Sequence, residues 1–325
     1  MWNRLTRSAI VGILFVVTHA DAAAPASPSL VAVQRPFVAL TPVATLQLGK
    51  TADWVVITAD AIWVGSTGPN AVHRIDPKTN REAPVMLPGE PCAGLVAGFG
   101  ALWIPLCGDK PALAKVALHS NRLLTVLDFH TAAECGIAAS TDSIWLVLDD
   151  QGTLARIDPS KESVMQTVRL PPGSCNPRYS NGVVWVTSAK GAELTAVDAK
   201  SGAILATIPT GPQPRFLTVG GAAIWTLNQG DGTVTQIDIR TRRATGSIAL
   251  GTPGPGGDIA FGARMLWTTM VGTPLTAIDP MTHDVVRQWV GPDGDSLAIG
   301  HNAIWLTDYH KGTIARIRVE DALVP

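Results

Sequence analysis

Tryptophan recurs along this chain at a nearly fixed interval. Trp63, Trp103, Trp145, Trp185, Trp225, Trp267 and Trp305 are separated by 40, 42, 40, 40, 42 and 38 residues. Each lies in a short apolar run such as Ala61-Ile62-Trp63-Val64. In five of the seven copies an aspartate follows: Asp76, Asp158, Asp198 and Asp238 lie 13 residues on, and Asp279 lies 12 residues on. A β-rich unit of this length cannot bury its own apolar face alone, but copies packed side by side can. The expected fold is therefore all-β: a seven-bladed β-propeller with four-stranded antiparallel blades.

Each unit has the same internal order. A Gly/Pro/polar loop leads into an apolar strand such as Phe216-Leu217-Thr218-Val219, and a tight turn such as Gly220-Gly221 follows. The tryptophan strand comes next, then a turn such as Asp231-Gly232. A third strand ends in Ile-Asp, as in Thr153 to Asp158, and Ala203 to Ile208 exemplifies the fourth. The last unit ends after its third strand, Thr313 to Arg318. Residues 43–49 (VATLQLG) read as a fourth strand. The N-terminal strand is thus expected to complete the seventh blade and cover its open edge.

The repeats have a plain packing explanation. One large aromatic per blade fills the gap between twisted neighbouring sheets, the alternative being a ligand-stacking role. The Ile-Asp aspartates read as turn formers: proline at the second position of Asp76-Pro77-Lys78-Thr79-Asn80 presets a type I turn, and the aspartate bonds the backbone beyond.

The N-terminus has the pattern of a secretory signal. Arg4 and Arg7 precede an apolar core, Ala9 to Val17, that is too short to span a bilayer, and Ala20-Asp21-Ala22 fits a cleavage site. The expected organisation is a signal peptide at 1–22, an Ala/Pro-rich linker at 23–42 that packs on the outside or stays mobile, and one propeller domain at 43–325. An uncleaved N-terminal anchor is the alternative. No later segment is apolar for long enough to cross a membrane, so a periplasmic or secreted protein, monomeric, is expected. The formal charge is −1 and no basic face stands out, which gives no support for nucleic-acid binding.

Four cysteines in an exported chain favour disulfides. Cys92 and Cys107 sit at the outer ends of a hairpin that turns at Phe99-Gly100, and that register sets them face to face. Cys135 and Cys175 hold the same position in neighbouring repeats, where innermost strands converge at the axis. The expected pairs are 92–107 and 135–175. A metal–thiolate site is the alternative, but the chain has no C-x-x-C unit.

Repeats of the form G-x-IWV…G-x-V-x-RID-P-x-T…I-x-x-G-x-x-P, as in Ala61 to Thr79 and Ala223 to Asp238, resemble the exported seven-bladed propellers of the streptogramin (virginiamycin B) lyase-like and YncE-like superfamily. The resemblance covers about residues 43–319. It implies the fold and leaves open lyases, lactonase-like hydrolases and proteins without chemistry. The lyases of that superfamily use magnesium-assisted elimination with a catalytic histidine and a nearby His/Glu pair. This sequence contains no His-x-Glu or Glu-x-His unit.

The residues that depart from the repeat cluster at one position. Where innermost strands begin, the blades present Asp53 and Trp54, Cys92, Glu134 and Cys135, Cys175 and Asn176, Arg215 and Phe216, Asp258, and Asp295 and Ser296. The loops after the second strands add Asp149, Asp150, Asn228, Gln229, Asp308, Tyr309 and His310, and His130 is expected near the same rim. Packing needs identical residues in identical blades; a varied polar ring points to a ligand. The expected ligand contacts are Asp53, Trp54, Asn176, Arg215, Phe216 and Tyr309. Acids facing one channel repel unless a cation or Arg215 intervenes, so Glu134, Asp258 and Asp295 are candidate oxygen ligands for Ca²⁺ or Mg²⁺. A solvated channel mouth, or Arg215 gripping an anion, are the alternatives. Two functions follow. One is a binding propeller whose partner is a small molecule or an envelope protein. The other is a metal-assisted lyase or lactone hydrolase with His310 (or His130) and Glu134 in catalytic roles.

Overall fold

The computed structural model describes residues 30–324; the expected signal peptide lies outside the described residues. Seven antiparallel sheets form a ring, and the chain is an all-β seven-bladed propeller. The blades span residues 51–86, 90–127, 137–169, 174–209, 214–249, 258–290 and 297–318. Blade 5 shows the plan: Pro214–Gly220 innermost, then Ala223–Asn228, Thr233–Asp238 and Arg243–Ala249 outermost.

Burial grades across each blade as the sequence pattern requires. The second strand is covered on both faces by neighbouring blades, so it is a continuous apolar run, and Ala223–Asn228 is buried throughout. The outermost strand has one face in solvent, so burial alternates along Arg243–Ala249. All seven repeat tryptophans are 0–1% exposed. The indole N–H of Trp103, Trp225 and Trp267 donates to the carbonyl five residues earlier, of Gly98, Gly220 and Gly262, at 3.0–3.1 Å. Cations on the third strand lie over three of the rings: Lys115 over Trp103, Arg156 over Trp145 and Arg316 over Trp305.

The Ile-Asp aspartates make turns. Asp76 Oδ1 accepts from the backbone N–H of Lys78 at 2.7 Å and of Thr79 at 3.2 Å, and Asp158, Asp198 and Asp279 repeat the motif. The residue that closes each turn takes a positive φ, as Asn80, Glu162, Gly202 and His283 do. Backbone donors hold the carboxyls of Asp76, Asp158 and Asp198 below the usual carboxylate range.

The ring closes through its termini. Ala44–Gln47 pairs antiparallel with Thr313–Arg318 and supplies the fourth strand of blade 7. The preceding stretch also packs against the ring: Gln34–Pro36 adds a fifth, parallel strand outside Val285–Val290 of blade 6. After the last strand the chain turns into a short helix, Val319–Leu323, and the Ala322 carbonyl accepts from the Trp289 indole at 3.1 Å.

Both expected disulfides form. Cys92–Cys107 lies within blade 2 with Cα atoms 5.7 Å apart, and Cys135–Cys175 joins the hub ends of blades 3 and 4 at 4.9 Å. The local register in blade 2 differs from a plain hairpin. The turn at Phe99-Gly100 pairs Gly98 with Ala101, but nearer the hub Pro91 pairs with Leu106 and Glu90 with Cys107. The residues between leave the ladder, so Cys92 reaches Cys107 diagonally.

Candidate functional site

The hub ends of the innermost strands are irregular, and the irregularity aims side chains into the axis. The ladder slips between Asp53 and Val55 in blade 1, between Cys175 and Arg178 in blade 4 and between Pro214 and Phe216 in blade 5. Trp54, Glu134 and Asn176 take positive φ values of 57°, 57° and 47° there. That conformation is uncommon for any residue with a side chain and rarer for one as bulky as tryptophan. A bulge of this kind turns a strand end and re-aims one residue, and it recurs beside binding sites.

The result is a cavity of about 600 Å³ at one mouth of the channel. Five blades contribute to it: Asp53 and Trp54, Glu134, Arg215 and Phe216, Gly257, and Asp295, Tyr309 and His310. The structure thus brings together eight of the expected site residues. Trp54 and Phe216 meet at the floor with ring centroids 6.0 Å apart. Tyr309 and His310, both exposed, stand edge to face at 5.4 Å on the opposite rim.

Charge is distributed unevenly around this mouth. Asp53 and Asp295 are neighbours here, and both carboxyls are raised above their ordinary range. Burial is the main cause in each. For Asp53, repulsion from Asp295 adds to it, and hydrogen bonds from Ser296 Oγ at 2.5 Å and the Trp54 N–H at 2.6 Å offset it in part. For Asp295, a backbone N–H from Gly257 and neighbouring Asp53 offset the burial. Two adjacent carboxyls in a poorly solvated place favour one proton shared between them. Gly257 is needed here. Its φ is +90°, and a Cβ would run into the Thr269 carbonyl, so the turn beside Asp295 favours glycine.

Across the mouth, Arg215 donates to the Glu134 carbonyl at 3.1 Å and lies 3.9 Å from its carboxylate. Its guanidinium also sits 5.9 Å from the Phe216 ring centre. Burial raises the Glu134 carboxyl despite Arg215 beside it. Lys311 pairs with both Asp293 and Asp308, the latter at 3.1 Å, and so offsets part of the negative charge of the blade 7 rim.

Two expected residues lie elsewhere. Asn176 is 1% exposed; its Nδ2 donates to the Arg215 carbonyl at 2.8 Å and ties blade 4 to blade 5. Asp258 sits below the mouth, where it accepts from the Ile259 N–H at 2.7 Å and the Leu297 N–H at 3.4 Å. Burial pushes its carboxyl up to about 6, with Arg178 acting in the opposite direction. Glu134 and Asp295 therefore share the mouth, while Asp258 lies below it. Among the described residues, no three His, Cys, Asp or Glu side chains group closely enough to hold a metal ion. Asp53 accepts from Ser296 and the Trp54 N–H, and Glu134 lies beside Arg215. His130 lines a neighbouring cavity, where its Nδ1 bonds the Leu148 carbonyl at 2.7 Å.

The sequence reading missed two features. Loops of blades 5 to 7 line the mouth with Pro255, Gly256, Gly272, Pro292 and Gly294; the Gly/Pro density of 252–257 and 291–294 was the available signal. In blade 1, Ser66 Oγ lies 2.7 Å from His73 Nε2, and His73 Nδ1 meets Glu82. That order matches a nucleophile–base–carboxylate relay. Ser66 and His73 are buried, however, and the Ser66 hydroxyl also meets the Pro69 carbonyl at 3.1 Å. The chain of bonds ties three strands together.

Comparison with protein-family models and with curated proteins finds no match for this chain.

Proposed function

We propose that this propeller is an exported protein that binds a small polar organic molecule at the channel mouth. One observation carries the reading: eight of the residues that break the sevenfold repeat converge from four blades on a cavity of about 600 Å³, a size typical of small-molecule sites. The chemistry of the walls narrows the ligand. The Asp53–Asp295 carboxyl pair can accept a hydroxyl or amine proton, Arg215 serves an oxygen acceptor, and Trp54 with Phe216 supports an apolar ring or chain. The two disulfides support an oxidising compartment, periplasmic or extracellular. The blade motif supports the streptogramin lyase-like and YncE-like superfamily. We read the protein as a monomer.

The test is ligand-observed NMR with a panel of hydroxylated rings, amino sugars and hydroxy-lactones, on wild type and on Asp295→Asn and Arg215→Gln. A hit that weakens in both variants supports the mouth. A hit that binds both variants as tightly as wild type refutes it.

A second reading has its own support. A proton-sharing carboxyl pair beside His310 can give and take a proton at one substrate, as a lyase or lactone hydrolase of the streptogramin-lyase-like or gluconolactonase-like type must. In that reading Asp53 protonates the leaving oxygen, and Asp295 or His310 removes the proton. Turnover of a lactone in the panel, lost in Asp53→Asn, selects it. Thermal shift with chelator and with added Ca²⁺ or Mg²⁺ tests the cation separately, and a shift that survives Glu134→Ala with Asp295→Ala moves the cation away from the mouth.

A further inference from the structure

A second cavity lies along the innermost strands beyond the mouth. Its volume is about 390 Å³ and it is open to solvent. Trp54 lines both spaces and divides them. Backbone groups of the strands make up much of the wall, and the apolar side chains that stay partly exposed in it are Val56 and Ile57 from blade 1 and Val96 and Ala97 from blade 2. Against this background stand Arg178 on blade 4 and Asp258 on blade 6.

Arg178 is under-used by the protein. A guanidinium carries five N–H donors in a planar fork. Among the described residues Arg178 makes one side-chain hydrogen bond, Nη1 to the Pro177 carbonyl at 3.3 Å, and it joins none of the ion pairs. Burial pushes its pKa downward, while its side chain stays partly open to the channel. Donors without a protein partner there are free to meet an anion that enters. Nothing in blade packing demands it either, since the equivalent position two residues before the turn in blade 5 is Thr218.

We propose that the channel binds a small aliphatic carboxylate, its oxygens on the Arg178 fork and its alkyl chain against Val56 and Val96. A planar fork matches a carboxylate in two parallel hydrogen bonds, and the apolar side chains add affinity for each methylene. Asp258 does not cancel Arg178. Its oxygens are turned to the Ile259 and Leu297 N–H groups, and the charged groups that face it are Arg178 and Asp295. Burial holds its carboxyl up to about 6, so below that pH it is uncharged and repels no anion. The site is separate from the mouth and does not depend on what binds there.

The experiment is calorimetric titration of the full chain at about pH 5.5, where Asp258 is mostly protonated. The probes are sodium butyrate, n-butylamine hydrochloride and sodium chloride. Butyrate is expected to bind, and butylamine and chloride are not. Arg178→Gln should weaken butyrate about ten-fold or more, as loss of a charged double hydrogen bond does. Arg178→Lys should retain part of the affinity, and Arg215→Gln, at the mouth, should leave it unchanged. Equal binding of butyrate and butylamine overturns the proposal. So does unchanged butyrate affinity in Arg178→Gln, or its loss in Arg215→Gln. Should Arg178→Gln not fold, wild type decides: affinity must rise from formate through acetate to butyrate, and a flat series overturns the site.

Discussion

The carboxyl of Asp258 makes the structure testable by pH. It sits inside the ring, 9% exposed, and titrates at about 6 where its ordinary value is 3.8. The folded chain therefore holds this proton more tightly than the unfolded chain does. Stability from it is fully present below the unfolded value and is lost as the pH rises through about 6. Each unit of difference is worth about 1.36 kcal/mol, so the ionised carboxylate costs the fold about 3 kcal/mol above pH 6. Asp258→Asn removes that cost while its amide oxygen can still accept from Ile259. At pH 5 the wild-type carboxyl recovers about 1.4 kcal/mol by holding its proton. The advantage of Asp258→Asn should accordingly be larger at pH 8 than at pH 5 by about that amount. Urea denaturation of both proteins at the two pH values measures it, and Asp53, Glu134 and Asp295, which titrate in both proteins, largely drop out of the comparison. An advantage equal at the two pH values, or larger at pH 5, would refute the placement of this carboxyl in a poorly solvated channel.

Three further outcomes are expected. Replacing Cys135 and Cys175 together by serine opens a link 40 residues apart and should cost about 4 kcal/mol on the chain-entropy account; an unchanged urea midpoint would contradict it. Trp225→Phe should cost about 1 kcal/mol more than Trp185→Phe, because the Trp225 indole N–H has the Gly220 carbonyl as partner and that of Trp185 is buried without one, and thermal denaturation of the pair reads the difference. Leu48→Ala, at the end of the closing strand and 5% exposed, should cost about 3 kcal/mol, measured as a lower denaturant midpoint.

Much of the architecture was legible because packing repeats and chemistry does not. A tryptophan every 40 or so residues fixes the number of blades, since each must sit between two sheets. The missing fourth strand of the last unit points to residues 43–49, whose alternation fits the gap. The disulfides follow from equivalent positions in neighbouring units. Other features leave no periodic trace. Three residues, Gln34–Pro36, are too few to show a strand pattern, and their pairing comes from the exposed edge of blade 6. The positive φ values at Trp54 and Glu134 occur at residues without the glycine that marks such a conformation. Asn176 occupies an equivalent position, yet its amide finds the Arg215 carbonyl before it reaches the mouth. The acids looked alike in sequence, but depth separates them: Asp53 and Asp295 share a proton, Glu134 faces an arginine, and Asp258 lies below.

The closing strand also decides when the mouth can exist. Ala44–Gln47 must wait for Thr313–Arg318, its partner across nearly the whole chain, and a contact so remote is entropically the slowest to make. Blade 7, the unit completed at that seam, is the one that carries Asp295, Ser296, Tyr309 and His310, and Asp53 reaches it from the blade on the other side of the join. A half-made ring has the floor of a pocket without its acidic wall. The complete cavity is thereby tied to the final stitch of folding, so that an unfinished molecule lacks one wall of it.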